Sequence, residues 1–512
     1  MLNRIKSLIL QMLETLGEAF SQYLAAPSDA FYDDICTFID AILSEIDVEH
    51  SEIHECSTVL AASLRSLNQK SLEESFQSFC GMILSLPIQY KVVFFPYYDN
   101  TWDSLESVYE AFAADPMFQT EIVIIPIQRN TPSGMTHVYN DYLTPMGIPN
   151  TPYHYYDIKT DLPDIVFYNQ PYDGNNYQQF FSHYLKQYAG MMVYVPYAMY
   201  LHEFIRSNYK ADNEKMWGNL PGHNSADIII AQGESFCNAF ARPTNNGSKM
   251  IALGNPKSDF LWKRANNGDW VRNSQWEELI RGKKTFLLNT HYSSILHQPM
   301  WFNETASTSS WLLFLLETII ADDELALIWR PHPQTFLMMD SLSGNNKALF
   351  DECLKIADSC DRIIVDKTPS VVSAFMYCDA VISENSSIIS EAVSLNKPVF
   401  LVGVDHREYQ VDSANYYKAD YQGILDTTGI IDMDNLYMHN ALPCCGLRTP
   451  LQEGESIDEH MYRIPIMNFI NDIKNNLDPK SELRELYRRQ LLSNLDGKCG
   501  SSILEYVKSL LF

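Results

Sequence analysis

The sequence lacks the patterns that mark several common classes of protein. It has no run of 18 uninterrupted apolar residues, no cleavage site in its N-terminal stretch, no HExxH motif and no glycine-rich phosphate loop. Its ten cysteines show no metal-ligand spacing, and the adjacent Cys444 and Cys445 are poorly placed to bridge each other. These absences predict a cytoplasmic protein with free thiols and with neither a membrane span nor a metal centre.

Positive charge is also scarce. The chain has 37 Lys and Arg against 64 Asp and Glu, which gives a net charge of -27 at pH 7. Such a field repels nucleic acids and anionic membranes, so nucleic acid is excluded as a predicted partner. A phosphate-bearing ligand would have to be met by local basic side chains or backbone amides.

What is present is a chain of 512 residues, long enough for two or three domains with cores of their own. In residues 1–86 apolar side chains recur at helical spacing, as at Ile5, Leu8, Ile9 and Met12. This pattern predicts an all-helical module with acidic exposed faces. We expect the module to serve packing or association into a homo-oligomer; a weak membrane-surface role stays open.

From Tyr90 onward the pattern changes to short, continuous apolar runs that each end in polar residues. Such runs predict strands buried on both faces, as in parallel sheets covered by helices. We therefore expect two doubly wound α/β domains at 87–270 and 271–480, joined by a helix at 268–282, and C-terminal helices at 481–512. The runs lie at 91–100, 121–128, 164–174, 191–198, 226–235, 249–259, 285–294, 325–334, 361–370, 379–387 and 397–406.

The stretch 379–400, DAVISENSSIISEAVSLNKPVF, reads as a strand, a serine-rich turn, a helix and a second strand. Ser386 and Ser387 either cap the helix or, with its first amides and Asn385, hold a phosphate. In open parallel sheets ligands bind beyond the carboxyl ends of the strands. The other strand endings therefore decide between the two interpretations.

Arg330-Pro331-His332-Pro333 follows a strand of the same domain. Two prolines stiffen the loop and fix the direction of the histidine between them. His332 would donate to phosphate oxygens or act as acid or base, with Arg330 beside it. The alternative is an ordinary loop histidine.

Three further endings add mainly hydrogen-bond donors to this predicted site. A site rich in donors and poor in carboxylates suits an anionic phosphate ligand. Each residue taken alone is also explained as a cap or turn residue, and Asp405 and Tyr409 would meet a ribose, a base or a polyol hydroxyl. The candidates are Asn289, Thr290, His291, Ser370, Asp405 and Tyr409.

The first α/β domain ends its strands in aromatic and acidic residues. Tyr97, Asp99, Tyr172 and Tyr197 would line an acceptor cleft, or pack as ordinary aromatic residues. Asp173 and His202 are the candidates for a general base. An Asp before a glycine, as at Asp173, is also common as a turn residue.

The order of these motifs resembles the CDP-glycerol glycerophosphotransferase family, bacterial enzymes that prime or polymerise wall teichoic acid and related phosphopolymers. The resemblance covers about residues 90–410. The family usually has Asp-Tyr before the paired serines, where this chain has Glu384-Asn385. The matching signals are GNPKSD at 254–259, Asn289-Thr290, RPHP at 330–333, the stretch 379–400, and Asp405 with Tyr409.

The resemblance implies a GT-B fold, in which two Rossmann-like domains face each other across a cleft and the C-terminal domain binds the CDP moiety. It further implies that His332 and Arg330 contact the donor phosphates, that Ser386 and Ser387 lie close to them, and that no metal or other cofactor is needed. The family's first domain carries a His-Gly-Thr-Pro motif whose histidine is the candidate base. This chain has Tyr197-Ala198 at the matching place.

The predicted function is transfer of glycerol phosphate, or a related polyol phosphate, from a CDP-activated donor to a hydroxyl of a glycan or cell-surface polymer. Donor and acceptor are then the partners, and a lipid-linked acceptor would bring the protein to the inner face of the cell membrane. Two alternatives stay open: a GT-B glycosyltransferase that uses a nucleotide sugar, and a non-catalytic relative that assembles a polymer-synthesis complex.

Overall fold

The computed structural model describes residues 3–46, 51–97, 99–131, 134–200, 218–240, 244–291, 308–338, 345–384, 386–402 and 463–511. The fold is α/β, with an N-terminal helical region followed by two sheets of parallel strands. The predicted fold class is confirmed at this level.

Four helices form the N-terminal region: α1 (Asn3–Ala25), α2 (Asp29–Ser44), α3 (Ser51–Arg65) and α4 (Gln69–Leu84). Ser28 and Asn68 cap α2 and α4, because each side chain accepts a hydrogen bond from an amide in the first turn. The apolar positions spaced along these helices meet in one core that includes Leu16, Ile39 and Leu60. The helical periodicity therefore reflects the packing of these four helices.

The first sheet has seven strands in the order β5-β2-β1-β6-β7-β8-β9. Its members pair in parallel where register is defined, as between β1 and both β2 and β6. The strands are β1 (Tyr90–Phe95), β2 (Phe118–Ile124), β5 (Thr151–Pro152), β6 (Ile165–Tyr168), β7 (Met191–Tyr194), β8 (Ile228–Ala231) and β9 (Met250–Ala252).

A short antiparallel hairpin, β3 (Ile127–Thr131) with β4 (Gly134–Val138), follows β2 and was not predicted. The apolar run 121–128 was expected to be one strand. It is interrupted at Pro126, which has no N–H to contribute to a strand ladder. The run therefore ends one strand and begins another in a separate sheet.

The second sheet has five parallel strands in the order β12-β11-β10-β13-β14. They are β10 (Lys284–Thr290), β11 (Leu325–Pro331), β12 (Ile363–Val365), β13 (Ala380–Ser383) and β14 (Val399–Leu401). Leu288 and Leu327 belong to one hydrophobic core, and their neighbours Leu287 and Ile328 belong to a second core. Successive side chains point to opposite faces of a strand, so both faces of this sheet are buried, as the continuous runs predict.

Two predicted helices differ from the observed ones. The sequence predicts one helix at 102–113, whereas the structure has a 3-10 helix, Asp99–Ser104, followed by α5 (Glu106–Ala114). The helix expected at 268–282 is shorter, because Gly268 ends the preceding helix with a positive φ of 69° and Asn273 caps the next one. The remaining helices are α6 (Ile158–Asp161), α7 (Ser182–Leu185), α8 (Pro221–Ser225), α9 (Glu234–Phe240), α10 (Pro256–Asn267), α11 (Ser274–Leu279), α12 (Thr308–Ala321), α13 (Pro333–Met338), α14 (Asn345–Asp358), α15 (Val372–Tyr377), α16 (Ser387–Ser394), α17 (Ile464–Lys474), α18 (Ser481–Leu491) and α19 (Cys499–Ser509).

The chain divides into two compact units. One comprises residues 1–95, 109–168 and 175–193, and the other comprises 96–108, 169–174 and 194–512. The domain boundaries expected from the sequence stay a prediction. Eight cysteines in the described ranges are free thiols. Among the described helices, none has the length and apolar character needed to cross a bilayer.

Candidate functional site

The predicted donor site lies in the second unit, where three neighbouring strands end level with one another. Asn289 of β10 is in register with Arg330 of β11 and with Ser383 of β13. Adjacent strands lie about 4.8 Å apart, so the residues that follow these endings are brought together at one edge of the sheet. The sequence prediction that these endings converge agrees with this register.

Asn289 and Thr290 hold the strand endings in place. The Asn289 side chain is 2% exposed; its Nδ2 donates to the carbonyl of Arg330 at 2.9 Å and its Oδ1 accepts from the Ser383 hydroxyl at 3.3 Å. Thr290 Oγ1 accepts from the indole N–H of Trp329 at 3.2 Å. Both side chains have structural partners, and a contact of either one with the donor substrate stays a prediction.

Arg330 is buried and forms an ion pair that sequence reasoning missed. One guanidinium nitrogen lies 2.6 Å from Asp366 Oδ2 and donates to Thr368 Oγ1 at 3.3 Å, while the other donates to the carbonyl of Pro369 at 3.2 Å. Asp366 also accepts from the amide of Thr368 at 2.8 Å. Arg330 thus fixes the loop after β12. The sequence signal for this ion pair was Asp366, the aspartate that ends the run DRIIVD.

His332 and His291 form a pair at the ends of β11 and β10. Their ring centroids are 5.0 Å apart at an interplanar angle of 62°. The His332 amide donates to the carbonyl of Thr290 at 2.8 Å, which anchors the loop between the two prolines. Sequence reasoning selected both residues, and the structure brings their rings together.

Both imidazoles are neutral at physiological pH. Burial, with smaller contributions from His291 and Arg330, lowers the pKa of His332 to about 4. Burial likewise lowers the pKa of His291. A neutral imidazole has one N–H donor and one acceptor nitrogen, so this pair offers hydrogen bonds or a proton acceptor and no permanent positive charge.

Glu384 links the ends of β10 and β13. Its carboxylate accepts from the amide of His291, and its own amide donates to the carbonyl of Asn289 at 3.1 Å. The side chain is 2% exposed. Glu384 therefore has a structural role, because it holds the backbone at His291 in place.

The serine turn begins α16 directly after β13. Ser386 is the N-cap: its hydroxyl accepts from the amide of Ile388 at 3.4 Å, and its carbonyl accepts from the amide of Ile389 at 3.1 Å. Ser387 is the first helical residue and is exposed. The capping interpretation describes Ser386, and phosphate binding by the turn stays a prediction.

Ser370 lies at the start of α15. Its hydroxyl accepts from the amide of Val372 at 3.3 Å, although the cap position itself is Val371 in a helical conformation. The side chain therefore stabilises the first turn of the helix as expected from its type. Contact with a donor stays a prediction.

The predicted acceptor residues Tyr97, Tyr172 and Tyr197 form a group in the same unit. The rings of Tyr97 and Tyr197 are 6.1 Å apart, and the Tyr197 hydroxyl is hydrogen-bonded to Tyr172. Burial raises the pKa of Tyr197 well above its ordinary value and raises that of Tyr172. Both phenols are therefore protonated at neutral pH, so Tyr197 is poorly suited to replace a histidine base.

Asn169 organises the loop that carries Tyr97 and was missed from the sequence. It is fully buried; its Oδ1 accepts from the Tyr97 amide at 2.8 Å, and its Nδ2 donates to the carbonyl of Thr101 at 3.1 Å and to Ser104 Oγ at 3.1 Å. Its position after β6, in the run DIVFYNQ, was the available signal.

The other predicted residues are placed only in part. Asp173 is 8% exposed and begins the 3-10 helix Asp173–Asn175, and Asp99 begins the 3-10 helix Asp99–Ser104. The remaining calls, His202, Asn385, Asp405 and Tyr409, lie outside the described residues. Within the described ranges no group of three or more His, Cys, Asp or Glu is arranged to hold a metal ion.

Comparison with solved structures identifies the architecture. The S. aureus MnaA-UDP co-structure superposes with a TM-score of 0.50 at 13% sequence identity, covering 83% of this chain and 97% of the other. A putative UDP-N-acetylglucosamine 2-epimerase from Listeria monocytogenes gives the same four values. The fold is GT-B-like.

A structure of the wall teichoic acid polymerase TagF is also similar, with a TM-score of 0.45 at 14% identity over 90% of this chain and 98% of the other. No model of a protein family matches the chain, and no curated protein sequence matches it. The GT-B-like assignment rests on the two superpositions at 0.50 together with the two parallel sheets.

Proposed function

We propose that the chain is a transferase that moves glycerol phosphate, or a related polyol phosphate, from a CDP-activated donor to a hydroxyl of a glycan or cell-surface polymer. The sequence motifs that resemble the CDP-glycerol glycerophosphotransferase family support this activity. The GT-B-like fold is compatible with it, although a fold alone does not define a function.

The observation that carries the proposal is the pair of neutral histidines at the carboxyl edge of the five-stranded sheet. His332 and His291 follow β11 and β10, and the amino end of α16 follows the neighbouring strand β13. Imidazole N–H groups, serine hydroxyls and first-turn amides are donors suited to the oxygens of a diphosphate. A nucleoside diphosphate is therefore the ligand class that this edge of the sheet fits best.

In the proposed reaction the acceptor hydroxyl oxygen attacks the phosphorus that carries the polyol. The new oxygen–phosphorus bond forms as the bond to the CMP oxygen breaks; CMP leaves, and the hydroxyl proton passes to a base. His332 and the serine turn would stabilise the charge that develops on the phosphates, a role that usually dominates such transfers. Arg330 would act indirectly, by holding the loop after β12 against the end of β11 that carries His332.

The general base is supported by fewer observations than the donor site is. Asp173 is the candidate among the described residues, and His202 is the second candidate from the sequence. A carboxylate needs to be within hydrogen-bond reach of the acceptor hydroxyl to act as a base. Loss of turnover in Asp173→Asn, with the affinity for CDP unchanged, would support Asp173.

The decisive experiment compares His332→Ala with the wild-type protein, using CDP-glycerol as donor and measuring CMP release. We expect at least a 100-fold loss of turnover, of the order produced by removing one transition-state donor. The control is His54→Ala, a substitution of an exposed histidine on α3. Undiminished turnover in a folded His332→Ala protein would rule out the assigned role.

A nucleotide sugar is the second candidate donor, because the same donors fit the diphosphate of any activated sugar. A ligand that binds only the folded state raises the melting temperature. We therefore expect CDP-glycerol or CDP-ribitol to raise it more than UDP- or GDP-sugars do. The reverse order would favour a glycosyltransferase.

Tyr197, a half-buried phenol at the place where the resembled family has its histidine, favours a third candidate: a non-catalytic relative that acts as an assembly partner. In that case no activated donor would be turned over, and CDP would bind weakly or not at all. Turnover of any donor would exclude this candidate.

A further inference from the structure

A buried cluster of three charged side chains joins helix α16 to two other segments of the second unit. Lys257, the second residue of α10, is 9% exposed. Its ammonium lies 2.9 Å from Glu391 Oε1 of α16 and 3.2 Å from Asp103 Oδ2 in the 3-10 helix Asp99–Ser104. We refer to these three residues as the Lys257 cluster.

The Lys257 cluster is only partly satisfied. Asp103 Oδ1 and Glu391 Oε2 are both buried and have no hydrogen-bond partner among the described residues. Two carboxylates share one ammonium, and burying charge that is incompletely paired costs stability. Such a cluster is better explained by a need to fix the position of its members than by a need for stability.

The electrostatics agree with a tightly coupled group. The pKa of Asp103 is raised to about 6: burial is the main cause, Lys257 opposes the rise, and Glu391 and the nearby Glu106 contribute to it. Glu106 is itself paired with Arg264 at 2.8 Å. Burial lowers the pKa of Lys257, but attraction to Asp103 and Glu391 outweighs this and leaves it above its ordinary value.

The position of Glu391 connects the cluster to the proposed donor site. Glu391 is four residues after Ser387, so the two residues lie on one face of α16 about 6 Å apart along its axis. Asp103 lies in the segment that follows β1, which also carries Tyr97 and is held by Asn169. Lys257 thus contacts both the helix of the serine turn and the segment of the tyrosine group.

We propose that Lys257 is a positioning residue that fixes the first turn of α16, and with it Ser386 and Ser387, relative to the segment after β1. The inference rests on the proposed function for its consequence, because only a bound nucleotide makes the position of this turn matter. Because Asp103 Oδ1 and Glu391 Oε2 are buried, a bound substrate does not reach them. Its members therefore act through the serine turn.

The first experiment measures CDP affinity by calorimetry and amide hydrogen exchange at Ile388 and Ile389. We expect Glu391→Gln and Lys257→Met to weaken CDP binding about 10-fold, the effect of losing one charge-assisted hydrogen bond. Exchange at the two amides should accelerate. Lys257→Arg keeps the charge, so its CDP affinity and its exchange rates at the two amides should stay within about 3-fold of the wild type.

A neutral triple variant guards against simple loss of folding. Asp103→Asn, Lys257→Met and Glu391→Gln together remove all three charges, so no buried charge is left unpaired. We expect this variant to fold, with weakened CDP binding and fast exchange at Ile388 and Ile389. Wild-type affinity and exchange in the triple variant would overturn the inference.

The dependence on pH supplies a readout that a purely structural role would not move. The wild-type exchange rates at Ile388 and Ile389, corrected for intrinsic exchange, should change as Asp103 titrates near pH 6. Asp103→Asn should lose this step. The same step in both proteins would contradict the role of Asp103.

The two proposals fail in distinguishable ways. If the wild-type protein does not bind CDP, the proposed function fails, and amide exchange still decides whether Lys257 fixes the turn. If CDP binds and the folded variants bind it equally well with unchanged exchange, only the positioning role is wrong.

Discussion

The four N-terminal helices and the carboxyl edge of the five-stranded sheet both contain buried side chains, but the two regions bury side chains of different kinds. The helical core is built from residues such as Leu16, Ile39 and Leu60, and its buried polar groups include Ser63, which bonds Ser75 at 2.8 Å. The sheet edge buries Arg330, Asp366, Asn289 and Glu384.

The difference shows where in this chain the positions of polar groups are fixed at a cost in folding stability. Buried apolar groups stabilise without needing defined partners, whereas each buried polar group needs a partner in the correct place. Buried charged and amide side chains at the endings of neighbouring strands are typical of a functional site. The following predictions test this contrast, beginning with the largest expected effect.

Asp366→Ala should be the most damaging substitution at the sheet edge. It leaves the guanidinium of Arg330 buried without its carboxylate, which costs about 4 kcal/mol of unfolding free energy. Urea denaturation measures the loss, and Asp358→Ala, at an exposed position of α14, is the control. Equal stability of the two variants would show that this buried pair has no structural importance.

Leu60→Ala should cost about 3 kcal/mol in the helical region, because the side chain is fully buried and its removal leaves a cavity. Val59→Ala, at a side chain that is 57% exposed, is the matched control and should have almost no effect. Neither change should alter the affinity for CDP. A loss of CDP binding in folded Leu60→Ala would break the contrast between the two regions.

Acid should destabilise the second unit through buried His223. Burial lowers its pKa to about 3, and the Gly218 amide donates to its Nδ1. The unfolded chain, with an ordinary pKa of about 6.5, binds the proton first, so this contribution is complete above pH 6.5 and is lost as pH falls toward 3.

At pH 5 the His223 contribution should be about 2 kcal/mol smaller than at pH 7. Melting temperature against pH, compared between the wild type and His223→Asn, isolates the effect, since asparagine can still accept from the Gly218 amide. His54→Asn, at an exposed site, is the control. Parallel curves for the wild type and His223→Asn would contradict this assignment.

The two serines of the turn should separate capping from ligand binding, with the smallest effect on stability. Ser386→Ala removes the N-cap and should cost about 1 kcal/mol, whereas Ser387→Ala, at the exposed first helical residue, should leave stability almost unchanged. Both should weaken CDP binding under the proposed function. A Ser387→Ala protein with wild-type affinity would remove that residue from the donor site.

Much of the fold could be predicted because continuous apolar runs record burial on both faces of a strand. Each of the eleven runs overlaps a strand, and the polar residues that end them include His332 and His291, whose rings the structure brings together. The β3–β4 hairpin was missed because Pro126 falls inside an apolar run. The helix predicted at 268–282 was too long, because the residues that cap α11 give weaker sequence signals than its apolar positions do.

The sequence by itself determined which segments become strands and helices, because periodicity and capping are local properties. It also determined that polar residues follow the strands of the second sheet. Only the tertiary structure decided the partners: Asp366 for Arg330, Glu384 for the amide of His291, and Asp103 with Glu391 for Lys257. Those pairings join segments far apart in the chain, and the packing of the sheet and its helices, rather than local sequence, brings them within hydrogen-bond distance.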